Sequence, residues 1–165
     1  MRVAEALIEK KGLTARVNEL QGRYTNSAVV EEGEQPEENA EELLVALEGT
    51  FKRLEFLSVA INTTNNVVLV GDMSLMQAIA RRESLKTRIG QYSAIIGSIR
   101  QRNYSRRNYG ENVAKMVLAE GVNAAAFIKQ VDSMSKELRE LDLKIQEINW
   151  TNDLIDPVDH AKVGQ

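Results

Sequence analysis

The sequence has no cysteine, one histidine, two prolines and few aromatic residues. Without cysteine it can form no disulfide, thiolate nucleophile or sulfur-ligated metal site, although the redox state of its compartment stays open. The one histidine, His160, lies near the C-terminus, away from any serine or carboxylate pattern of the Ser-His-Asp or Glu-x-x-His type. The sequence therefore predicts no catalytic site, metal or cofactor, and we expect a protein that is not an enzyme.

Long apolar runs are also missing. The most apolar short segment, residues 67–70, is far shorter than the roughly 20 residues of a membrane-spanning helix. The first residues mix glutamates and lysines with apolar side chains, unlike the basic and apolar regions of a signal peptide. We therefore expect a cytoplasmic protein. The formal net charge of −3 gives no overall attraction to nucleic acid or to an acidic membrane surface.

Four long segments instead carry apolar residues that alternate between spacings of three and four. The clearest is a heptad seam near the C-terminus, formed by Phe127, Val131, Met134, Leu138, Leu141, Ile145 and Ile148. Charged residues make up 27% of the chain, which suits long solvent-exposed helices. The pattern predicts a mainly all-α fold, an elongated antiparallel four-helix or coiled-coil bundle. We expect the bundle to form one domain over residues 1–152, followed by a loose tail at 153–165.

The predicted helices span about residues 2–24, 37–64, 74–102 and 123–151. The first three have the seams Val3, Ala6, Leu13, Val17, Leu20 and Tyr24; Leu44, Leu47, Phe51, Leu54, Ser58 and Ile61; and Leu75, Ala78, Arg82, Leu85, Ile89, Tyr92, Ile96 and Ile99. Leu43 and Leu57 widen the second seam, which suggests more than one partner helix. Two short apolar runs, 67–70 and 113–118, predict strands that pair at one end of the bundle.

Three small residues, Gly90, Ala94 and Gly97, share one face of the third helix, away from its seam. A glycine inside a helix costs about 1 kcal/mol relative to alanine, so a compensating contact is expected. Small residues let another backbone approach closely, which makes this face a candidate subunit contact; tolerated surface glycines are the alternative. Together with the wide second seam, this row predicts that the protein associates with itself.

Charge is unevenly distributed between an acidic cluster at residues 31–42 and a basic cluster. The basic cluster combines arginines and tyrosines: Arg100, Arg102, Arg106, Arg107, Tyr104 and Tyr109. Such a segment could bind RNA or single-stranded DNA by stacking on bases and neutralising phosphates. If the second and third helices are antiparallel, however, the two clusters face each other and complement the helix dipoles. We favour charge pairing within or between subunits and keep nucleic-acid binding as the alternative.

Polar residues close two of the predicted helices, in the Asn62–Asn65 block and around Asn149. Asparagine and threonine at helix ends usually cap them through side-chain hydrogen bonds. Trp150, the one tryptophan, is expected to be a core anchor or an interface residue. Arg82 interrupts the third seam, where its stem can be buried while its head reaches a carboxylate.

The same segments carry a family resemblance. They read Ala4-Glu5-Ala6-Leu7-Ile8, Ile61-Asn62-Thr63-Thr64-Asn65, Ala78-Ile79-Ala80-Arg81-Arg82-Glu83, Glu137-Leu138-Arg139-Glu140-Leu141-Asp142 and Asn149-Trp150. Because these segments follow one another in this order, the chain resembles the small bacterial helical proteins of the septicolysin family over about residues 2–152. The resemblance implies a membrane-active, pore-forming cytolysin as an alternative function. It assigns no role to the matching residues, among them Asn62, Thr64, Asn65, Arg81, Arg82, Asn149 and Trp150.

Overall fold

A computed structural model describes the backbone of residues 1–107 and 118–157, and the side chains of residues 1–101 and 118–157. This part of the chain forms the helices α1 (Val3–Ser27), α2 (Ala40–Val67), α3 (Leu75–Arg107) and α4 (Ala124–Thr151). Two short strands, β1 (Leu69–Val70) and β2 (Met73–Ser74), lie between α2 and α3. The predicted class, mainly all-α with a small β element, is confirmed.

The chain divides into two compact units. Unit 1 comprises residues 1–76 and 146–165, and unit 2 comprises residues 77–145. In unit 1, α1 and α2 are antiparallel: Ala6 near the start of α1 packs with Leu57 and Ile61 near the end of α2. These three residues form the centre of a small apolar core, which Leu154 also contacts.

The start of α2 lies three residues later than predicted. Asn39 caps the helix, because its side-chain oxygen accepts hydrogen bonds from the backbone N–H groups of Glu41 (2.9 Å) and Glu42 (3.4 Å). An asparagine side chain satisfies two N–H groups that would otherwise lack a partner, which a proline followed by glutamates does not do. Glu38 therefore stays outside the helix and pairs with Arg23 of α1.

The predicted stripe of α1 is confirmed. In α2 the predicted seam is right in part, since Leu44 and Phe51 lie on the exposed side and its other members are buried or half-buried. The buried face of α2 follows Leu43, Thr50, Leu57 and Thr64, with Leu47, Leu54 and Ile61 between them. We call this set the inner seam. It also alternates spacings of four and three, so periodicity cannot separate it from the predicted seam. The two threonines fit a buried face because their hydroxyls donate to the carbonyls of Ala46 and Ala60 (both 2.8 Å).

The strand predicted at 67–70 is present but has a different partner. Leu69 pairs with Ser74 and Val70 with Met73, in an antiparallel hairpin. Gly71 begins the two-residue turn with a φ of +63°, a conformation that glycine adopts without steric cost. The expectation that β1 pairs with residues 113–118 is thus corrected, because a tight turn closes a hairpin locally; residues 113–117 lie outside the described part.

In unit 2, α3 and α4 form an antiparallel pair. Arg81 contacts Glu137, and eleven residues further along α3 the ring of Tyr92 meets Phe127 of α4 edge to face, with centroids 5.5 Å apart. Every residue of the predicted seams within unit 2 is buried or half-buried. Asn123 caps α4 as predicted, accepting the Ala126 N–H at 3.0 Å.

Candidate functional site

In unit 1 the N-terminal residues 1–3 meet residues 151–155, an arrangement that we call the chain-end clasp. The Val3 N–H donates to the Asn152 carbonyl at 3.1 Å, and the Leu154 N–H donates to the Met1 carbonyl at 2.8 Å. Arg2 donates to the Thr151 carbonyl at 2.6 Å and forms an ion pair with Asp153 at 3.1 Å. The clasp thereby gives a partner to the first N–H of α1, which has none inside the helix.

Thr64 connects α2 to the clasp. Its hydroxyl is fully buried, donates to the Ala60 carbonyl and accepts the Ile155 N–H at 2.9 Å. The neighbouring Leu154 packs on the apolar core of unit 1. The Asn/Thr block thus does more than cap a helix, because α2 continues to Val67 and Thr64 holds a segment 91 residues away.

The remaining polar residues near the clasp are more open to solvent. Asn62 is exposed, whereas Asn65 and Asn149 are half-buried. Trp150 is 57% exposed, so the expectation of a core anchor is wrong, since its position on α4 points away from the Ile145 and Ile148 seam. The interface alternative for Trp150 stays a prediction.

The double arginine of α3 pairs with α4 within unit 2. Arg81 binds Glu137 through two hydrogen bonds of 2.8 and 3.2 Å. The half-buried Arg82 binds Glu83 at 2.9 Å and lies 3.7 Å from Asp142, as its seam position predicts. The Arg81 hydrogen bonds lower the pKa of Glu137, and the nearby charge of Arg88 lowers it slightly further. These contacts join the two family-like segments of unit 2 and align α3 with α4.

A second bidentate ion pair, which the sequence analysis did not predict, aligns α1 with α2. Arg53 donates to both carboxylate oxygens of Glu9, at 2.7 and 2.9 Å, and its guanidinium lies 5.3 Å from the centre of the Phe56 ring. Hydrogen bonding by Arg53 lowers the pKa of Glu9. Both residues flank the seams of their helices, so the correct seam for α2 would have revealed the pair.

We expect this ion pair to make stability depend on pH. A pKa that is lower in the folded state adds stability above the unfolded-state value and loses it as pH falls through the folded-state value. Between pH 6 and pH 3, wild type should therefore lose up to about 1 kcal/mol more than Glu9→Gln in urea unfolding. Glu147→Gln, which removes a charge from an exposed part of α4, is the control and should follow wild type. Parallel curves for wild type and Glu9→Gln would contradict a folded-state role for the pair.

An apolar side of α2 in unit 1 is not covered. Leu44 and Phe51 of α2 are each 44% exposed, on the side next to the inner seam. We call them the outer stripe. Three exposed glutamates border it at intervals of seven residues: Glu41, Glu48 and Glu55. An exposed apolar stripe with a charged border is the arrangement seen along one side of a helix–helix interface.

The other candidate subunit contact, Gly90, Ala94 and Gly97, is exposed on α3. Apart from the neighbouring residues and the backbone of α3 itself, no described atom lies within 4 Å of a Cβ built at Gly90 or Gly97, so these glycines serve no close packing among the described residues. Arg100 is exposed as well. The side chains of Arg102, Arg106 and Arg107, and residues 108–117 with Tyr109, lie outside the described residues, and so does His160. The pairing of the acidic and basic clusters therefore stays a prediction.

Within residues 1–107 and 118–157, no cluster of three or more carboxylates or imidazoles has the spacing of a metal site. No described helix combines the length and the apolar character that crossing a bilayer requires.

Comparison with known proteins gives two matches of wide coverage. A family model described as a family of unknown function (DUF6847) matches residues 10–154. The crystal structure of a functionally unknown conserved protein from Corynebacterium diphtheriae is similar, with a TM-score of 0.79 and 33% sequence identity. The similarity covers 94% of this chain and 99% of that one. No curated protein matches.

Proposed function

The chain belongs to DUF6847, a family of unknown function, and we propose that it is a non-enzymatic helical assembly protein whose copies associate through the outer stripe. The observation that carries this proposal is that α2 has two apolar sides and α1 covers one. Leu47, Leu54 and Ile61 belong to both sides, which makes the apolar face of α2 continuous from the core to Leu44 and Phe51.

The energetics favour covering this stripe. Burying a leucine or phenylalanine side chain completely contributes about 1.5–3 kcal/mol relative to leaving it in water. Leu44 and Phe51 each keep 44% of their surface exposed, so a large part of that contribution is unused within one chain. The two residues lie seven apart, on the same side of α2, and a second helix can cover both at once.

Unit 2 supports association in a second way. The α3–α4 pair covers only one seam of each helix, and Ile95 and Ile128 beside those seams are 42% and 37% exposed. A two-helix pair leaves such flanking residues in water, whereas a third or fourth helix buries them. The partner in the proposal is a second copy, because the exposed Arg81 and Arg88 of α3 are opposite in charge to the glutamates beside the outer stripe.

Multi-angle light scattering at several protein concentrations tests the proposal. We expect a mass above that of one 18.5 kDa chain at tens of micromolar, and a monomer for the double variant Leu44→Glu/Phe51→Glu. The change adds charges to an apolar contact, where they are costly to desolvate. Leu143→Glu, at an isolated leucine that is 68% exposed on α4, is the matched control and should keep the wild-type mass. A monomeric wild type, or a double variant that associates as wild type does, would end the proposal.

The alternatives from the sequence make different predictions. A cytolysin of the kind implied by the septicolysin resemblance would release dye from lipid vesicles. An RNA-binding segment around Arg100 would retain RNA with a steep dependence on salt. Self-association through the outer stripe requires neither activity. The Leu44→Glu/Phe51→Glu variant should therefore change neither dye release nor RNA retention selectively.

A further inference from the structure

The glutamates that border the outer stripe form a regular acidic row. Glu41, Glu48 and Glu55 are exposed and lie about 10.5 Å apart along α2, from the 1.5 Å rise per residue. Among the described side chains, none of the three forms an ion pair. A row of like charges beside an apolar stripe repels a second copy of the same helix and attracts a helix edge of opposite charge.

α3 has an edge of that kind. Arg81, Arg88 and Ile95 are exposed and follow one another at the same interval of seven residues; we call them the basic edge. Arg81 is already bound to Glu137, whereas Arg88 has no ion pair in the described part of the chain. Ile95 adds an exposed apolar residue to the edge. Arg81 and Arg88 both act on the single carboxylate of Glu137, so the edge combines a net positive charge with apolar surface, as the outer stripe combines carboxylates with apolar surface.

We propose that the outer stripe of one copy docks on the basic edge of a second copy, an inference that rests on the proposed self-association. With three positions at equal intervals on each side, both the parallel and the antiparallel alignment place Glu48 opposite Arg88. The contact is heterologous, since two different surfaces meet, and it can extend beyond a dimer or close into a ring.

The lysines of α4 fit the acidic row less well. Lys129 and Lys136 also lie seven residues apart, but Glu140 is 3.9 Å from Lys136 and Asp132 lies between the two lysines in sequence. The local charge of that face is close to balanced, so it offers the row of glutamates little net attraction. The α3 edge has two arginines, Arg81 and Arg88, against the one carboxylate of Glu137, and therefore keeps a net positive charge.

A charge exchange in the full chain tests the docking. Glu48→Arg and Arg88→Glu should each raise the dissociation constant about 10-fold or more in sedimentation experiments, because like charges then face each other. The double variant Glu48→Arg/Arg88→Glu should recover most of the wild-type affinity, and so should an equal mixture of the two single variants. The mixture keeps the test valid if the double variant folds poorly, as judged by circular dichroism.

Glu147→Arg and Arg139→Glu change the same charges at exposed sites on α4 and should leave the dissociation constant within about 2-fold, as substitutions outside an interface do. If Leu44→Glu/Phe51→Glu gives a monomer while neither charge variant has an effect, self-association stands and the basic edge is not the partner. Weakening by both charge variants without recovery in the double variant or the mixture also overturns the docking. A monomeric wild type overturns both proposals.

Discussion

Leu57→Ala should lower the free energy of unfolding by about 2–5 kcal/mol, the range for removing a large aliphatic side chain from a close-packed core. Leu57 is fully buried and packs with Ala6 and Ile61, while Leu13, Phe56 and Leu154 surround this cluster. The residue therefore belongs to a core that joins α1, α2 and the chain-end clasp. Truncation leaves a cavity between elements that are distant in sequence and cannot easily close around it.

Leu44→Ala is the matched control, since it makes the same change on the same helix at a residue that is 44% exposed. We expect a loss of less than about 1 kcal/mol, because fewer contacts are removed and no closed cavity forms. Urea unfolding followed by circular dichroism, at a concentration low enough to keep the chain monomeric, gives both values. Equal losses would show that α2 does not pack through the inner seam.

Thr64→Val should lower the free energy of unfolding by about 1–3 kcal/mol, the cost of leaving a buried polar group without a partner. Valine keeps nearly the same shape but cannot accept the Ile155 N–H, which now bonds to the Thr64 hydroxyl at 2.9 Å. We also expect faster hydrogen exchange at the Ile155 amide, which reports the opening of the clasp directly.

Thr50→Val separates this effect from the general effect of removing a buried hydroxyl. Thr50 lies on the same inner seam and donates only to the Ala46 carbonyl of its own helix, at 2.8 Å. Its loss leaves no N–H unsatisfied, so the change should be close to neutral. If Thr64→Val is as mild as Thr50→Val and the Ile155 amide stays protected, Thr64 does not hold the clasp.

Heptad spacing predicted three of the four seams because each of those helices has one side that is more apolar than the others. In α2 this condition fails. Leu43, Leu44, Leu47, Phe51 and Leu54 offer two overlapping seams, and the inner one contains Thr50 and Thr64, which a search for apolar residues passes over. The structure shows that these threonines are compatible with burial because each satisfies its own hydroxyl within the helix.

The ion pairs show what the correct seam would have added. In an antiparallel coiled coil, residues at equivalent flanking positions of the two helices face each other. Arg81 and Glu137 occupy such positions, as do Glu9 and Arg53 once α2 is assigned its inner seam. The seam assigned to each helix thus determines which residues can pair between helices. Placing the seam of α2 along Leu44 and Phe51 concealed the Glu9–Arg53 pair.

The chain-end clasp was beyond prediction for a different reason. Its hydrogen bonds join Arg2 to Thr151 and Thr64 to Ile155, across 149 and 91 residues of sequence. They involve mainly backbone groups, which every residue has, so no residue pattern marks them. The sequence did place polar motifs at the correct helix ends, and the structure shows which of their side chains are used.

The chain's lack of cysteine allows a direct test of whether the outer stripe is covered by a second copy. In Phe51→Cys, the introduced thiol is the only one present, and its reaction with a maleimide can be followed over a range of protein concentrations. We predict rapid labelling at high dilution and strong protection at tens of micromolar. The thiol introduced by Leu143→Cys should be labelled equally fast throughout. Equal, concentration-independent labelling of both variants would contradict association through the outer stripe.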